Sequence, residues 1–153
     1  LGVAVVEKEK GNPSTSLRAR ETLLYSACTH TDARLPFFQR LLVLGQEAEA
    51  LIKKWKPDAV ALEDIYFAKN AKTALKVAEV RGMLAYLAAS HNLALFEYTP
   101  LQVKIAVTGH GRSDKRAVAL MVPRLIALPK RARLDDEIDA IAVGLTCLAS
   151  AKL

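Results

Sequence analysis

The sequence predicts an α/β fold in which a mixed central sheet is flanked by helices. Its 153 residues suit one domain, because a chain of this length buries a core that needs no disulfides. Two strand-like segments joined by turn-forming residues open the chain. Strand patterns then alternate with helical periodicity, an order that places helical crossovers between strands. We therefore expect residues 1–153 to form a single domain.

Two strands are predicted at the start of the chain, over residues 3–7 and 21–31, because both segments are rich in apolar and β-branched side chains. Between them lie Gly11, Asn12 and Pro13, which favour a turn. This arrangement predicts an antiparallel hairpin.

An amphipathic helix is predicted for residues 36–55, with Pro36 in its first turn. Its apolar stripe consists of Phe37, Leu41, Leu44, Ala48, Leu51 and Trp55. Lys56 and Pro57 then interrupt the pattern. Residues 58–63 follow as a short apolar strand, as expected for a strand that is covered on both faces.

A second helix is predicted for residues 70–90, where small apolar residues recur at helical spacing. The stripe consists of Ala71, Leu75, Ala78, Gly82, Ala85 and Ala89. Small side chains allow another element to approach closely, and we expect this stripe to pack within the chain. Packing between two copies of the chain is the alternative.

The rest of the sequence predicts one strand and three helices. The strand in "HNLALFEYTP" ends at Pro100, and "LQVKIAV" forms a short helix. Ser113 is expected to cap the next helix, which Pro123 should kink or end. A last helix is predicted over residues 135–151. Its buried residues are expected to be Ile138, Ile141, Ala142, Leu145 and Leu148.

Composition favours an anionic partner and excludes several classes of protein. The chain has 22 Lys and Arg against 16 Asp and Glu, a net charge of +6, which is compatible with binding nucleic acid. Cys28 and Cys147 lie far apart and outside any CxxC arrangement, so we expect two buried thiols and no disulfide framework or zinc ribbon. No apolar run approaches a membrane span and no signal peptide is evident, which predicts a cytoplasmic protein.

Acidic residues mark the candidate site. Glu63 ends a predicted strand, and sites in α/β sheets form outside the carboxyl ends of strands. Asp136 and Asp139 are three residues apart in the first turn of the last helix and therefore face the same side. Taken singly, Glu63 has the ordinary interpretation of a solvated loop acid, and the two aspartates that of helix-start acids. Only these ordinary roles are expected for Asp64 and Asp135.

If Glu63, Asp136 and Asp139 converge, their mutual repulsion requires cations. Carboxylate oxygens are ligands that suit Mg²⁺ or Mn²⁺. A site of this kind among basic residues is compatible with two-metal hydrolysis of phosphodiesters.

Three blocks of the sequence resemble, in order and separation, the RuvC-type Holliday-junction resolvases. They are "ALEDIYFAKNAKTALKVAEVRG" (61–82), "YTPLQVKIAVTGHGRSDK" (98–115) and "DEIDAIAVGL" (136–145). The resemblance implies a ribonuclease-H-like fold, a homodimer, and metal-dependent nicking of two symmetric strands of a four-way DNA junction. It also implies a partnership with a branch-migration motor.

The resemblance implies a role for individual residues as well. Glu63, Asp136 and Asp139 match three of the family's four metal-binding acids. Lys104 and Lys115 match basic positions near the scissile phosphate, and we count both with the acids as candidate catalytic residues. Tyr66 matches an aromatic residue that meets bases at the junction.

One departure from the family concerns its first strand, which carries a Gly-Ile-Asp-Pro-Gly motif with the fourth acid. This sequence starts after that motif, and "LGVAVVE" resembles the strand that follows it. We expect a further N-terminal segment; a chain that truly lacked it would lose a central strand and catalysis.

Basic residues near the acidic blocks predict a path for DNA phosphates. The candidate DNA-binding residues are Tyr66, Lys69, Lys72, Lys76, Arg112 and Arg116. The alternative for each cation is a solvated face, and for Tyr66 simple packing.

Three functions are compatible with the sequence. A junction-specific endonuclease is the leading hypothesis. A DNA-junction-binding module without activity is the second, and another ribonuclease-H-like nuclease, acting on RNA hybrids or nucleotides, is the third.

Overall fold

The computed structural model describes residues 1–8, 21–64 and 71–151, except for the side chains of residues 71 and 72. The elements are β1 (Gly2–Lys8), β2 (Glu21–Cys28), α1 (Phe37–Trp55), β3 (Ala59–Glu63), α2 (Ala71–Ser90), β4 (Ala94–Tyr98), α3 (Pro100–Thr108), α4 (Lys115–Leu125) and α5 (Asp135–Ser150). They belong to two compact units. The first unit contains the described residues up to Cys28 and from Leu101 onward, and the second contains residues 29–100.

The first unit is built on the predicted hairpin. β1 and β2 pair antiparallel, with Gly2 opposite Cys28 and Lys8 opposite Glu21, and a register shift falls between Val5 and Val6. α5 packs against both strands and against α4. The buried core of this unit includes Val103, Val107, Val118, Val122, Ile126, Ile141, Ala142, Val143, Leu145 and Cys147.

Two glycines allow α5 to lie close to β1. A Cβ on Gly2 would meet the backbone oxygen of Asp136 at 1.8 Å, and one on Gly144 would meet Val6 Cγ2 at 2.8 Å. Any larger side chain at either position would push the helix away from the strand. The glycines therefore fix the spacing that places the start of α5, with its aspartates, beside the first residues of β1.

The N-terminus of α4 corrects one prediction. Asp114, and not Ser113, occupies the N-cap position, where its Oδ1 accepts a 2.7 Å hydrogen bond from the Ala117 N–H. The Ser113 hydroxyl instead lies 2.8 Å from the Thr108 hydroxyl, so it bridges back to the end of α3. Pro123 is accommodated within α4, which ends two residues later at Leu125.

The second unit is a strand–helix–strand arrangement with an additional helix. β3 and β4 pair in parallel, with Glu63 opposite Tyr98, and α2 connects them and packs against both. α1 packs against α2. Lys56 ends α1 in the left-handed conformation, with φ of 47°.

The predicted apolar stripe of α2 is largely exposed, which contradicts the expectation of intrachain packing. Leu75 is 65 % exposed, and Ala78, Gly82 and Ala89 are also exposed. Among the described side chains of α2, those of Ala74 and Ala88 are buried instead. Apolar periodicity located the helix but not the face that the rest of the chain covers.

The prediction of an α/β fold with both antiparallel and parallel pairing is confirmed by β1–β2 and β3–β4. Cys147 is buried as expected, whereas Cys28 is only half-buried. Within the described ranges, no helix has the length and apolar character needed to cross a membrane. The extent of a single domain over residues 1–153 stays a prediction.

Candidate active site

The first unit carries two of the predicted acids in α5, with Asp136 in the first turn and Asp139 at the start of the second. Asp136 is exposed, and the Asp139 side chain is 39 % exposed. Because a helix turns about 100° per residue, positions three apart lie about 60° from each other around the axis. The sequence prediction that these two carboxylates share a side of the helix therefore holds for the observed helix.

Lys115 is ion-paired with this turn. Its Nζ lies 2.9 Å from Asp139 Oδ2 and 3.7 Å from Asp135 Oδ2. The hydrogen bond to Asp139 raises the pKa of Lys115 above its ordinary value of 10.5, against a smaller opposing effect of burial. The nearby charges of the α5 aspartates act in the same upward direction. Lys115 is thus a full cation at neutral pH, held by a carboxylate.

Between the two aspartates lies a buried acid that the sequence analysis did not single out. Glu137 is only 3 % exposed. It accepts a 2.5 Å hydrogen bond from the Ser26 hydroxyl and a 3.1 Å bond from Arg131 Nη1, and Arg131 Nη2 donates to its other oxygen. Arg133 Nε lies 3.3 Å from Glu137 Oε1. These contacts join β2, the segment before α5, and α5 itself.

Burial of Glu137 acts to raise its pKa, but the hydrogen bonds from Arg131 and Ser26 and the charges of Arg131 and Arg133 outweigh it. The pKa of Glu137 therefore lies below its ordinary value of 4.5, and the side chain is a carboxylate at neutral pH. A sequence signal for this residue exists, because Glu137 precedes Ile141 and Leu145 by four and eight positions. It occupies the apolar stripe of α5, just after the basic stretch "KRAR".

The second unit carries Glu63 at the carboxyl end of β3, where its side chain is exposed. The next residue is fixed to the neighbouring strand, because the Asp64 N–H donates to the Tyr98 carbonyl at 2.7 Å. Asp64 also accepts from Arg81 Nη1 at 2.8 Å, and Arg81 Nη2 donates to Glu97. Asp64 therefore has a defined partner, which corrects the expectation of an ordinary solvated acid.

The other candidate residues differ in how far the structure describes them. Tyr66 and Lys69 lie outside the described residues, as does the Lys72 side chain. Lys104 is half-buried in α3, whereas Arg112 and Arg116 are exposed near the start of α4. Lys76 is exposed on α2, with its Nζ 5.6 Å from the centre of the Phe37 ring.

Glu63 belongs to the second unit, and Asp136 and Asp139 belong to the first. The convergence of all three on one site stays a prediction. Neither unit, in its described part, contains three or more His, Cys, Asp or Glu side chains grouped to hold one metal ion. The first unit nevertheless fits a cation, since Asp139 and Asp135 already take the Lys115 ammonium group between them.

Solved structures of known proteins are similar to this chain over most of its length. The solved structure described as Thermus thermophilus RuvC matches 96 % of this chain and 86 % of its own, with a TM-score of 0.82 and 28 % identity. Another, described as the T. thermophilus protein in complex with Holliday junction substrate, gives a TM-score of 0.83 and 31 % identity over 96 % of this chain and 85 % of its own.

Curated relatives cover most of the sequence as well. The protein from Ruminiclostridium cellulolyticum is 47 % identical over 79 % of this chain and 72 % of its own length. The protein from Desulfitobacterium hafniense strain DCB-2 is 41 % identical over 95 % of this chain and 83 % of its own length. Both are named crossover junction endodeoxyribonuclease RuvC.

The α/β fold is of the ribonuclease-H-like type, with one acid at the end of β3 in the second unit and others beside Lys115 at the start of α5 in the first, and it indicates a nuclease. The profile of the family described as crossover junction endodeoxyribonuclease RuvC matches residues 2–147, and the chain belongs to that family. It is accordingly an endonuclease of DNA recombination and repair. The ribonuclease-H-like fold and the endonuclease activity predicted from the sequence are both confirmed.

Proposed function

We propose that this endonuclease resolves four-way DNA junctions by nicking two symmetric strands, with Glu63, Asp136 and Asp139 as ligands of divalent cations. The observation that carries the proposal is the Lys115–Asp139 pair, which shows that the start of α5 already accommodates a positive charge. The description of the T. thermophilus relative in complex with Holliday junction substrate supports the same class of DNA.

The ligand set supports Mg²⁺ or Mn²⁺ as the cofactor, in a two-metal arrangement. All three proposed ligands are carboxylates, and hard oxygen donors favour these cations over softer metals. Such cations, when bound, lower the pKa of a water nucleophile and stabilise the leaving oxygen. The chain would contribute Glu63 from the end of β3 and Asp136 and Asp139 from the first two turns of α5.

Lys104 and Lys115 are proposed to act on the scissile phosphate. A lysine ammonium group stabilises negative charge that develops on phosphate oxygens. The Lys115 side chain is 57 % exposed, so its ammonium group is accessible to DNA while it stays close to the acids. Lys104 is half-buried on α3, which restricts the positions open to its charge.

We propose a wider DNA path along five basic residues and one aromatic residue. Its members are Tyr66, Lys69, Lys72, Lys76, Arg112 and Arg116. Each phosphate contact releases counterions, and six contacts, from the five basic residues of this path and Lys115, would lower the affinity about 10³-fold between 50 and 200 mM salt. Stacking of a base on Tyr66 would contribute about 1–3 kcal/mol.

A homodimer is proposed because symmetric nicking needs two active sites related by a two-fold axis. The exposed apolar side chains of α2 support this assembly, since Leu75 is 65 % exposed and Tyr86 71 % exposed. Leu75→Lys should weaken the dimer. Sedimentation of the unaltered chain at micromolar concentration tests the assembly itself, and a result that shows only monomer would refute the homodimer. We also propose that the protein is cytoplasmic and has a branch-migration motor as a partner.

The decisive experiment removes the charge of Glu63. Glu63→Gln should abolish nicking of a synthetic four-way junction while junction binding in EDTA stays at the wild-type level. Asp58→Asn is the matched control, because Asp58 is an exposed acid just before the opposite end of β3. Nicking by Glu63→Gln at the wild-type rate would refute the proposed role of Glu63.

A further inference from the structure

Glu137 has no assigned role in the proposed chemistry, yet it is the most buried acid that the structure describes. We propose that Glu137 is a positioning residue that fixes the rotation of α5 and thereby aims the Asp136 and Asp139 carboxylates at their cations. This inference rests on the proposed metal site, and it concerns how the chain holds that site.

The contacts of Glu137 come from two separate parts of the first unit, β2 and the segment before α5. Ser26 on β2 donates to it at 2.5 Å, and Arg131 from the preceding segment donates to both of its oxygens. Arg131 Nη2 also donates to the Ser26 carbonyl at 2.8 Å. The carboxylate is therefore held from the strand and from the segment before the helix at once, which leaves it little freedom to move.

The direction of Glu137 determines the direction of the two aspartates. At about 100° per residue, Glu137 points about 100° away from Asp136 and about 160° away from Asp139. Fixing Glu137 inward therefore turns Asp139 to the opposite side and Asp136 to the flank. A rotation of the helix start would move both candidate ligands together.

The first turn of α5 lacks the usual means of fixing its start. Leu134 occupies the N-cap position and provides no side-chain hydrogen bond, whereas a polar N-cap residue would satisfy the free N–H groups. Gly2 allows the turn to lie close to β1, because a Cβ at this position would meet the Asp136 backbone oxygen. This contact sets the distance between α5 and β1, and the hydrogen bonds of Glu137 with Ser26 and Arg131 fix the rotation of the helix.

Mn²⁺ affinity measured by calorimetry tests this role directly. Glu137→Gln keeps the shape of the side chain but removes its charge, and we expect it to weaken Mn²⁺ binding by about 10- to 100-fold, as for other residues that orient metal ligands. Nicking should recover at high Mn²⁺ concentration, and junction binding in EDTA should not change. Ser26→Ala removes the hydrogen bond that the Ser26 hydroxyl donates to Glu137 and the 3.1 Å bond that it accepts from Arg131 Nη2, but it leaves the bonds from Arg131 to Glu137. It should weaken Mn²⁺ binding in the same direction by a smaller factor, and it replaces Glu137→Gln if that variant does not fold.

Val143→Ala is the control for loss of stability alone. Val143 is buried in the same helix, about 9 Å along the axis from Glu137, so its truncation should lower Tm without changing Mn²⁺ affinity. Wild-type Mn²⁺ affinity in folded Glu137→Gln or, failing that, in Ser26→Ala would overturn the positioning role, as would an equal loss in Val143→Ala. Asp136→Asn separates the two proposals: if it also binds Mn²⁺ normally, the metal site itself is wrong.

Discussion

The Lys115 ammonium group lies 2.9 Å from Asp139 Oδ2, so a candidate phosphate-binding lysine is paired with a candidate metal ligand. The two residues come from the starts of different helices, α4 and α5, which pack against each other. A bound divalent cation and the Lys115 ammonium group would compete for the same carboxylate. The pair therefore holds the Asp139 carboxylate in place. When a cation takes that carboxylate, the Lys115 ammonium group becomes free to contact a DNA phosphate.

Lys115→Met should separate these two effects. Removal of the charge should lower the nicking rate by about 10²–10³-fold, the loss typical when one group that stabilises transition-state charge is removed. Mn²⁺ affinity should stay equal to or exceed that of the wild type, because the competing cation is gone. Calorimetry and single-turnover nicking measure the two quantities, and Lys130→Met provides an exposed control just before α5. Weaker Mn²⁺ binding by Lys115→Met would contradict competition.

Gly144 and Gly82 form a matched pair that tests the packing of α5 on β1. Gly144→Ala places a methyl group 2.8 Å from Val6 Cγ2, and overpacking of this kind costs about 1–3 kcal/mol. Gly82 has nothing within 4 Å of its added Cβ, so Gly82→Ala should gain about 0.5–1 kcal/mol from helix propensity. The same gain offsets part of the Gly144→Ala cost, which leaves a net loss of up to about 2 kcal/mol. Urea denaturation should rank the two variants on opposite sides of the wild type.

Elements of strong periodicity could be predicted from the sequence, and their partners could not. The patterns over residues 36–55 and 135–151 located α1 and α5 closely. The stripe on α2 was assigned to the interior, but Leu75 and Gly82 are exposed, because several faces of this alanine-rich helix are equally apolar. The cap of α4 was misplaced by one residue, since Ser113 and Asp114 are both good N-caps and only the contact with Thr108 decides between them.

The candidate site shows the same division. Asp136 and Asp139 were identified because spacing along one helix is a local property. The roles of Glu137 and Arg81 depend on residues far away in the sequence, such as Ser26 for Glu137 and Asp64 for Arg81. Glu63 was identified from its place at a strand end and from the family resemblance. Contacts of this kind depend on the folded structure, so the sequence pattern does not predict them.

Arg81 should stabilise the end of β3 next to Glu63. Its side chain is 17 % exposed and bridges two acids on neighbouring strands. Asp64 directly follows β3, and Glu97 belongs to β4. Arg81→Met keeps the aliphatic stem and leaves two acids, about half exposed, without their shared cation. We expect a loss of about 1–2 kcal/mol in the free energy of unfolding, toward the low end for hydrogen bonds to charged groups because both acids are about half exposed.

A double-mutant cycle with Asp64→Asn isolates this contact. If Arg81 and Asp64 stabilise each other, the double variant should lose less stability than the sum of the two single variants. Arg112→Met is the control, because Arg112 is exposed in the loop before α4. Strict additivity of Arg81→Met and Asp64→Asn would contradict the interaction.

Stability at acid pH should depend on Glu137. Its folded pKa lies below the ordinary value of 4.5, so the folded state binds the proton less readily than the unfolded chain does. The resulting stabilisation is fully present above the unfolded pKa and is lost as pH falls through the folded pKa. Urea denaturation in EDTA between pH 3 and pH 7 measures this effect. Glu137→Gln should be less stable than the wild type at pH 7, and the difference should shrink toward the acid end of the range. A difference that is constant with pH would show that the charge of Glu137 does not stabilise the fold.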